Sequence, residues 1–239
     1  LPNEVEEKFK DNSLVLCEPY RDWYIENTSD LLKKYLPHDG IKFVNNIEFY
    51  ESIKLKILNA SHSALAYLGL LLGHKYVHEA INDELCYSFI SKYLDREVIP
   101  TIYNQDNFDL IKYKKDILKR FRNHFLNHKL EQIGMDGSLK IPIRIIDTFK
   151  NKNQNIEYTY TYIIIASWIL FLKKNNIEKY NYEVSDPMSK DLLNIANNEK
   201  NIVETIIDFK NIFDLSEEYK IILKKNVNNI IKRIENLNL

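Results

Sequence analysis

From about residue 45 to the end of the chain, apolar residues return every three to four positions, the period of a helix with one buried face. The pattern predicts helices at roughly 47–72, 74–94, 108–122, 124–134, 140–151, 158–174, 188–197, 200–210 and 216–236. Asp136-Gly137 marks a turn, with Ser138 placed to cap the helix after it, and Pro187 after Asp186 marks another helix start. Residues 1–42 read differently. "SLVLCEP" (13–19) has the pattern of a short strand ended by Pro19, "DWYIEN" (22–27) follows, and "IKFVNN" (41–46) is a second strand after Gly40. The Asn/Lys-rich stretches at 150–155 and 173–181 read as solvated loops. The expectation is an all-α fold over residues 43–239, with a short α/β remnant over 1–42.

Composition sharpens this picture. Five glycines in 239 residues fall far below the usual share of about 7%, which disfavours a turn-rich β or βαβ fold. The two most apolar runs, "SALAYLGLLLG" (63–73) and "YIIIASWILFL" (162–172), are about half the roughly 20 residues of a membrane span, so they read as core helices. Lys+Arg 33 against Asp+Glu 34 gives a formal charge of -1, without the basic excess that attracts nucleic acid or an anionic membrane. Cys17 and Cys86 are too few for a disulfide framework, and the acidic opening "LPNEVEEKFKDN" is no signal peptide, so a cytoplasmic protein is expected. The chain opens at Leu1 without a methionine, in residues that look like mid-protein sequence, and is expected to be a fragment.

Candidate chemistry lies first in "IKLKILNASHSALAYLG" (53–69), a core-type helix holding several groups that are costly to bury. On an ideal α-helix Lys54, Asn59 and His62 stand at about 0°, 140° and 80°, within one half of the circumference, while Lys56 at about 200° points away to solvent. A lysine in a partly dry pocket can act as general base near neutral pH, and Asn and His can donate hydrogen bonds to an oxygen gaining negative charge. The same spacing also fits a core helix with one snorkelling lysine and a satisfied histidine. A second cluster is "QIGMDGSLKIPIR" (132–144), in which Lys140 and Arg144 lie one helical turn apart and could clamp a carboxylate or stay solvated on a surface turn. His74/His78 and His124/His128 are each four apart, but neither pair has the Glu of an H-E-x-x-H site, so no metal is expected there. The chain has no G-x-G-x-x-G and no P-loop; Gly69 and Gly73 read as a close helix contact, and the tyrosines of "YTYTYIII" as core and interface.

Taken in order, "CEPYRDWYIE" (17–26), "IKFVNNIEFYESIKLKILNASHSALAYLG" (41–69), "VHEAINDE" (77–84), "REVIPTI" (96–102), "HKLEQIGMDGSLKIPIR" (128–144) and "DPMSKDLL" (186–193) resemble the long-chain mannitol dehydrogenase family. That family includes mannitol 2-dehydrogenases and fructuronate reductases, also called mannonate oxidoreductases. The resemblance implies an NAD- or NADP-dependent, metal-independent oxidoreductase of two domains. A Rossmann-type domain of the same protein would hold the cofactor. The helical C-terminal domain, like that of 6-phosphogluconate dehydrogenase, would supply the catalytic helix. By that resemblance Lys54 is the general acid/base, Asn59 and His62 polarise the substrate oxygen, and Lys140 contacts substrate. Hydride would pass between nicotinamide and C2 of a polyol or uronate, with no nucleic acid or membrane as partner.

The chain also departs from the family pattern. Residues 1–42 match only the tail of the cofactor domain, so the chain alone is expected to be inactive. Gln132 and Met135 stand where polyol-oxidising members tend to carry Arg and His, and His124 where the family often has Pro. With Arg144 available to a carboxylate, this favours the uronate-reducing branch and makes Gln132 and Arg144 substrate-binding candidates. The alternative is a non-catalytic helical interaction module that keeps the dehydrogenase scaffold.

Overall fold

The computed structural model describes residues 17–18, 20–36, 39–104, 107–150, 156–174, 182–198 and 200–236. Its first element is strand β1, Trp23–Glu26, followed by helix α1, Asp30–Tyr35, and strand β2, Ile41–Val44. Ser29 starts α1 by accepting from the Leu31 amide at 3.1 Å. The strands pair in parallel, Trp23 opposite Ile41 and Glu26 opposite Val44, so this is a small βαβ unit. The first strand therefore lies in "DWYIEN"; residues 13–16 and 19 of the expected "SLVLCEP" strand fall outside the described residues. Trp23, Leu31 and Tyr35 leave 58%, 61% and 69% of their surface open on this unit.

From Asn46 onward the molecule is helical. Asn46 caps helix α2, Ile47–Ile53, which runs without a break through a π turn, Lys54–Asn59, into α3, Ala60–Leu71. Gly73 ends α3 with φ +86°, a left-handed conformation that only glycine adopts without strain. The His74 amide then bonds back to the Gly69 carbonyl at 2.9 Å, closing a Schellman-type turn. The expected 74–94 helix is divided into α4, Val77–Asn82, and α5, Glu84–Tyr93, because Asp83 turns extended and caps α5 from its own side chain. A π turn, Leu94–Val98, and a 3-10 turn, Ile99–Thr101, follow. Helix α6 spans Leu110–Phe121.

The expected 124–134 helix is also interrupted. A 3-10 turn at His124–Leu126 gives way to left-handed Asn127 and a bridge between Lys129 and Tyr76 before α7, Leu130–Gly134. Helix α8, Gly137–Ile141, continues through a third π turn, Pro142–Ile146, into α9, Asp147–Lys150. Helices α10, Thr159–Lys174, α11, Ser189–Asn198, α12, Ile202–Ile207, and α13, Glu217–Asn236, complete the chain. The loop stretches 151–155 and 175–181 lie outside the described residues.

Helices α3 and α10 are buried nearly all round, and they pack on each other at the centre of the helical body. These are the two runs too short to span a membrane; among the described residues no helix is long and apolar enough to do so. One serine in each helix bonds back to the carbonyl four residues earlier. Ser61 Oγ donates to the Ile57 carbonyl at 2.6 Å, and Ser167 Oγ to the Ile163 carbonyl at 2.8 Å. Gly69 allows the close contact expected of it: an added Cβ would stand 2.7 Å from Leu130 and 2.9 Å from Ala80. Cys17 is exposed, Cys86 is buried, and both are free.

Candidate active site

Lys54 opens the π turn, and this changes the geometry expected of the helix. The Ala60 amide donates to the Leu55 carbonyl, an i→i+5 bond in place of i→i+4. Such a turn stacks residues five apart, so it draws Lys54 and Asn59 toward one line where an α-helix would hold them about 140° apart. Turns of this kind appear mostly as single insertions and frequently at functional sites. Lys56 does not reach solvent as expected. It is paired with Asp147 at 3.1 Å with 12% of its side chain exposed.

The lysine stands exposed on a cleft of about 430 Å³ that Tyr20, Asp22, Tyr24, Tyr50 and Arg120 also line. That volume is within the range of small-molecule sites. Contacts among its walls hold them in place. Tyr24 and Tyr50 stack at 4.2 Å, Tyr20 donates to Asp22 at 2.7 Å, and Lys42 reaches Asp22 at 2.6 Å and the Tyr24 hydroxyl at 3.1 Å. Arg120 lies 4.0 Å from the Tyr20 ring centroid and bonds Glu18 at 2.9 Å. The βαβ unit and α6 thus close the cleft around the helix that carries Lys54.

His62 faces an adjoining cavity of about 70 Å³, which shares Leu58 and Arg120 with the Lys54 cleft. Its ring stacks on Phe121 at 4.2 Å. Burial, with His128, Arg144 and Arg120 adding positive charge nearby, pushes its pKa down to about 3. His62 is therefore neutral at physiological pH and can still donate one ring N–H.

Asn59 is half-buried, and its backbone carbonyl accepts from Arg144 Nη1 at 3.3 Å. The same Nη1 donates to Ser63 Oγ at 3.0 Å, while Arg144 Nε is buried without a partner. Arg144 thus reaches the Asn59 carbonyl and Ser63 from the third π turn. Lys140, one turn earlier, donates to the Ile133 carbonyl at 3.3 Å and lies 3.7 Å from Asp136. Burial and the nearby Arg144 both lower its pKa. Gln132 is exposed on α7. Of the candidate residues only Lys54 lines this cleft: His62 lines the adjoining cavity, Arg144 is joined to the Asn59 segment, and Asn59, Arg144, Lys140 and Gln132 line neither.

The turn before Lys140 is fixed from a distance. Ser138 does not cap α8. Asp136 holds the cap position at φ +55°, and Asp186 accepts from the Ser138 amide at 2.8 Å and from Ser138 Oγ at 2.6 Å. Asp186 also accepts from the Met188 amide at 2.8 Å, which gives the Asp186-Pro187 helix start its second role. Local spacing carried no sign of that long-range bond, nor of the Tyr and Arg walls of the cleft.

A family model described as the mannitol dehydrogenase C-terminal domain matches residues 46–236. The chain belongs to the mannitol dehydrogenase family. It is 31% identical over 179 residues to the D-mannonate oxidoreductase of Escherichia coli K12, covering 74% of this chain and 37% of that one. The solved Pseudomonas fluorescens mannitol 2-dehydrogenase, in ternary complex with NAD and D-mannitol, aligns with a TM-score of 0.72 at 27% identity, over 82% of this chain and 42% of that one. A substrate-free D-sorbitol dehydrogenase aligns at a TM-score of 0.82 and 23% identity over 98% of this chain and 49% of that one, a likeness of fold. The chain thus spans less than half the length of these three proteins. The mainly helical architecture expected of their C-terminal domain is the one observed.

Proposed function

We propose that this chain is the catalytic C-terminal part of an NAD- or NADP-dependent oxidoreductase acting at C2 of a sugar alcohol or aldonate. Mannonate/fructuronate is the favoured pair, and mannitol/fructose the other. Residues 1–42 would be the tail of a Rossmann-type cofactor domain, residues 43–239 the catalytic domain, and the cytosol its compartment. The observation that carries the reading is Lys54 on a π turn opening into a 430 Å³ cleft, within the family's K-x(4)-N-x-x-H-S pattern.

The exposed apolar face of the βαβ unit fits a cofactor domain seated over the cleft. Bound there, the nicotinamide supplies the hydride acceptor or donor. Lys54 Nζ takes the hydroxyl proton of the alcohol in oxidation and returns it in reduction. Asn59 and neutral His62 donate hydrogen bonds to that oxygen, so His62 adds no cation beside Lys54. Lys140 and Gln132 serve substrate from the α7–α8 turn. Arg144 steadies the Asn59 segment and remains the candidate for a uronate carboxylate. The reaction as read here uses no metal.

The test is a panel of mannitol, arabinitol, sorbitol, mannonate and altronate on the full-length enzyme. Mannonate should be oxidised best, and Lys54→Ala should lower the rate by roughly 10²–10⁴, the usual worth of positioned acid–base catalysis. A near-wild-type rate in Lys54→Ala removes Lys54 from this role. Turnover by the 239-residue chain alone at enzyme-like rates removes the need for a cofactor domain.

A further inference from the structure

Away from the cleft, the Schellman turn at Gly73 returns the chain over the start of α5. Spacing along the sequence pairs His74 with His78, but the fold brings His74 to Asp83 and Cys86 instead. His74 Nε2 lies 3.3 Å from Asp83 Oδ2, and the three ligand atoms of His74, Asp83 and Cys86 all lie within 4.8 Å of one another. We propose that these three side chains bind one zinc ion, with water as the fourth ligand. The proposal stands independently of the dehydrogenase reading.

The donor set suits zinc. Imidazole, thiolate and carboxylate are its three ordinary ligand types, and three protein ligands with one open position is a recurrent arrangement. With metal–ligand bonds of about 2.0–2.3 Å, tetrahedral donors stand roughly 3.3–3.8 Å apart. The imidazole and carboxylate are already at that separation. The thiol has about 1 Å to close, which is within reach of a small side-chain adjustment.

Charge also balances. One dication, one thiolate, one carboxylate and a neutral imidazole sum to zero, as a half-buried site requires. The Cys86 thiol, raised to about 12 by burial, gives up its proton to solvent as the Zn–S bond forms, and no electron changes hands.

The frame is built before any ion arrives. Asp83 Oδ1 accepts from the Leu85 amide at 2.9 Å and from the Cys86 amide at 3.1 Å, leaving Oδ2 aimed at His74. The His74 backbone is fixed by its bond to Gly69. Side chains of His74 and Asp83 keep 24% and 33% of their surface open, which gives an ion its entry and a water its position. Cys86 closes the site from the core side. Without a metal role the three residues reduce to an ion pair beside a core cysteine, and the two readings differ in what they bind.

Cobalt(II), a spectroscopic substitute for zinc, is titrated into the chain in a Cys17→Ser background, so that Cys86 is its sole thiol. One equivalent should bind with a sulfur-to-cobalt charge-transfer band that zinc then displaces. Zinc at a hundredfold excess over its Kd should raise the melting midpoint by about 5–10 °C. Cys86→Ser should abolish the band, and His74→Ala should weaken zinc at least tenfold. Asp83→Asn keeps the helix cap and should weaken zinc at least tenfold without loss of helical circular dichroism. Absence of the band, or equal zinc affinity in the folded Asp83→Asn variant, overturns the site.

Discussion

Glu97 is fully buried in the Leu94–Val98 turn, yet it serves a helix some sixty residues further along the chain. Its carboxylate accepts from the Tyr160 amide at 2.5 Å, the Thr161 amide at 2.8 Å and Thr161 Oγ1 at 2.7 Å, at the positive end of α10. Glu97→Ala removes this tertiary cap and leaves three donors in a cavity. The loss should be about 2–5 kcal/mol, from about 1–2 for a helix cap and about 1–3 for unsatisfied buried donors. Glu97→Gln separates charge from shape. Burial, with a smaller contribution from Glu157, lifts the carboxyl from 4.5 to about 7 against the pull of the three donors. The folded state therefore binds the proton more tightly than the unfolded chain. Stability from this group is present in full below about pH 4.5 and is lost as pH rises through about 7. At about 1.4 kcal/mol per unit, the shift corresponds to roughly 3 kcal/mol. Urea unfolding followed by circular dichroism should show the advantage of wild type over Glu97→Gln narrowing by about 3 kcal/mol between pH 4.5 and 8. A constant difference, or one that widens with pH, refutes the reasoning, because the three donors would then outweigh burial.

Two further substitutions test the turn that carries Lys140. In Gly137→Ala the new Cβ would stand 2.9 Å from the Tyr67 hydroxyl and closer still to Trp168 Nε1, so thermal unfolding should report a loss of about 1–3 kcal/mol from overpacking; an unchanged midpoint would mean that the two rings move aside freely. Asp186→Ala strips acceptors from both Ser138 donors and from the Met188 amide and should cost about 2–4 kcal/mol in urea unfolding, whereas a loss below about 0.5 kcal/mol would show that water replaces the carboxylate.

The helical periodicity after residue 45 determined the fold class by itself, because one buried face per helix leaves a repeating mark in the chain. It also put Lys54, Asn59 and His62 on one helix and marked 63–73 and 162–172 as core. Every part of that reading rests on residues close in sequence. The breaks at Asp83 and Asn127 were harder to read, since a capping side chain or a left-handed residue competes with helix locally and packing decides the outcome. Only the tertiary structure decided the π turn at Lys54–Asn59, whose unusual pitch is held by packing and by Arg144 from some eighty residues away. It also decided that Tyr20, Asp22 and Arg120 wall the Lys54 cleft, that Asp186 fixes the turn before Lys140, and that His74 meets Asp83 and Cys86 in place of His78. Apolar burial is periodic and can be read along a chain. A hydrogen bond or a ligand set is formed by two or three side chains brought together from distant positions, and it leaves no period behind.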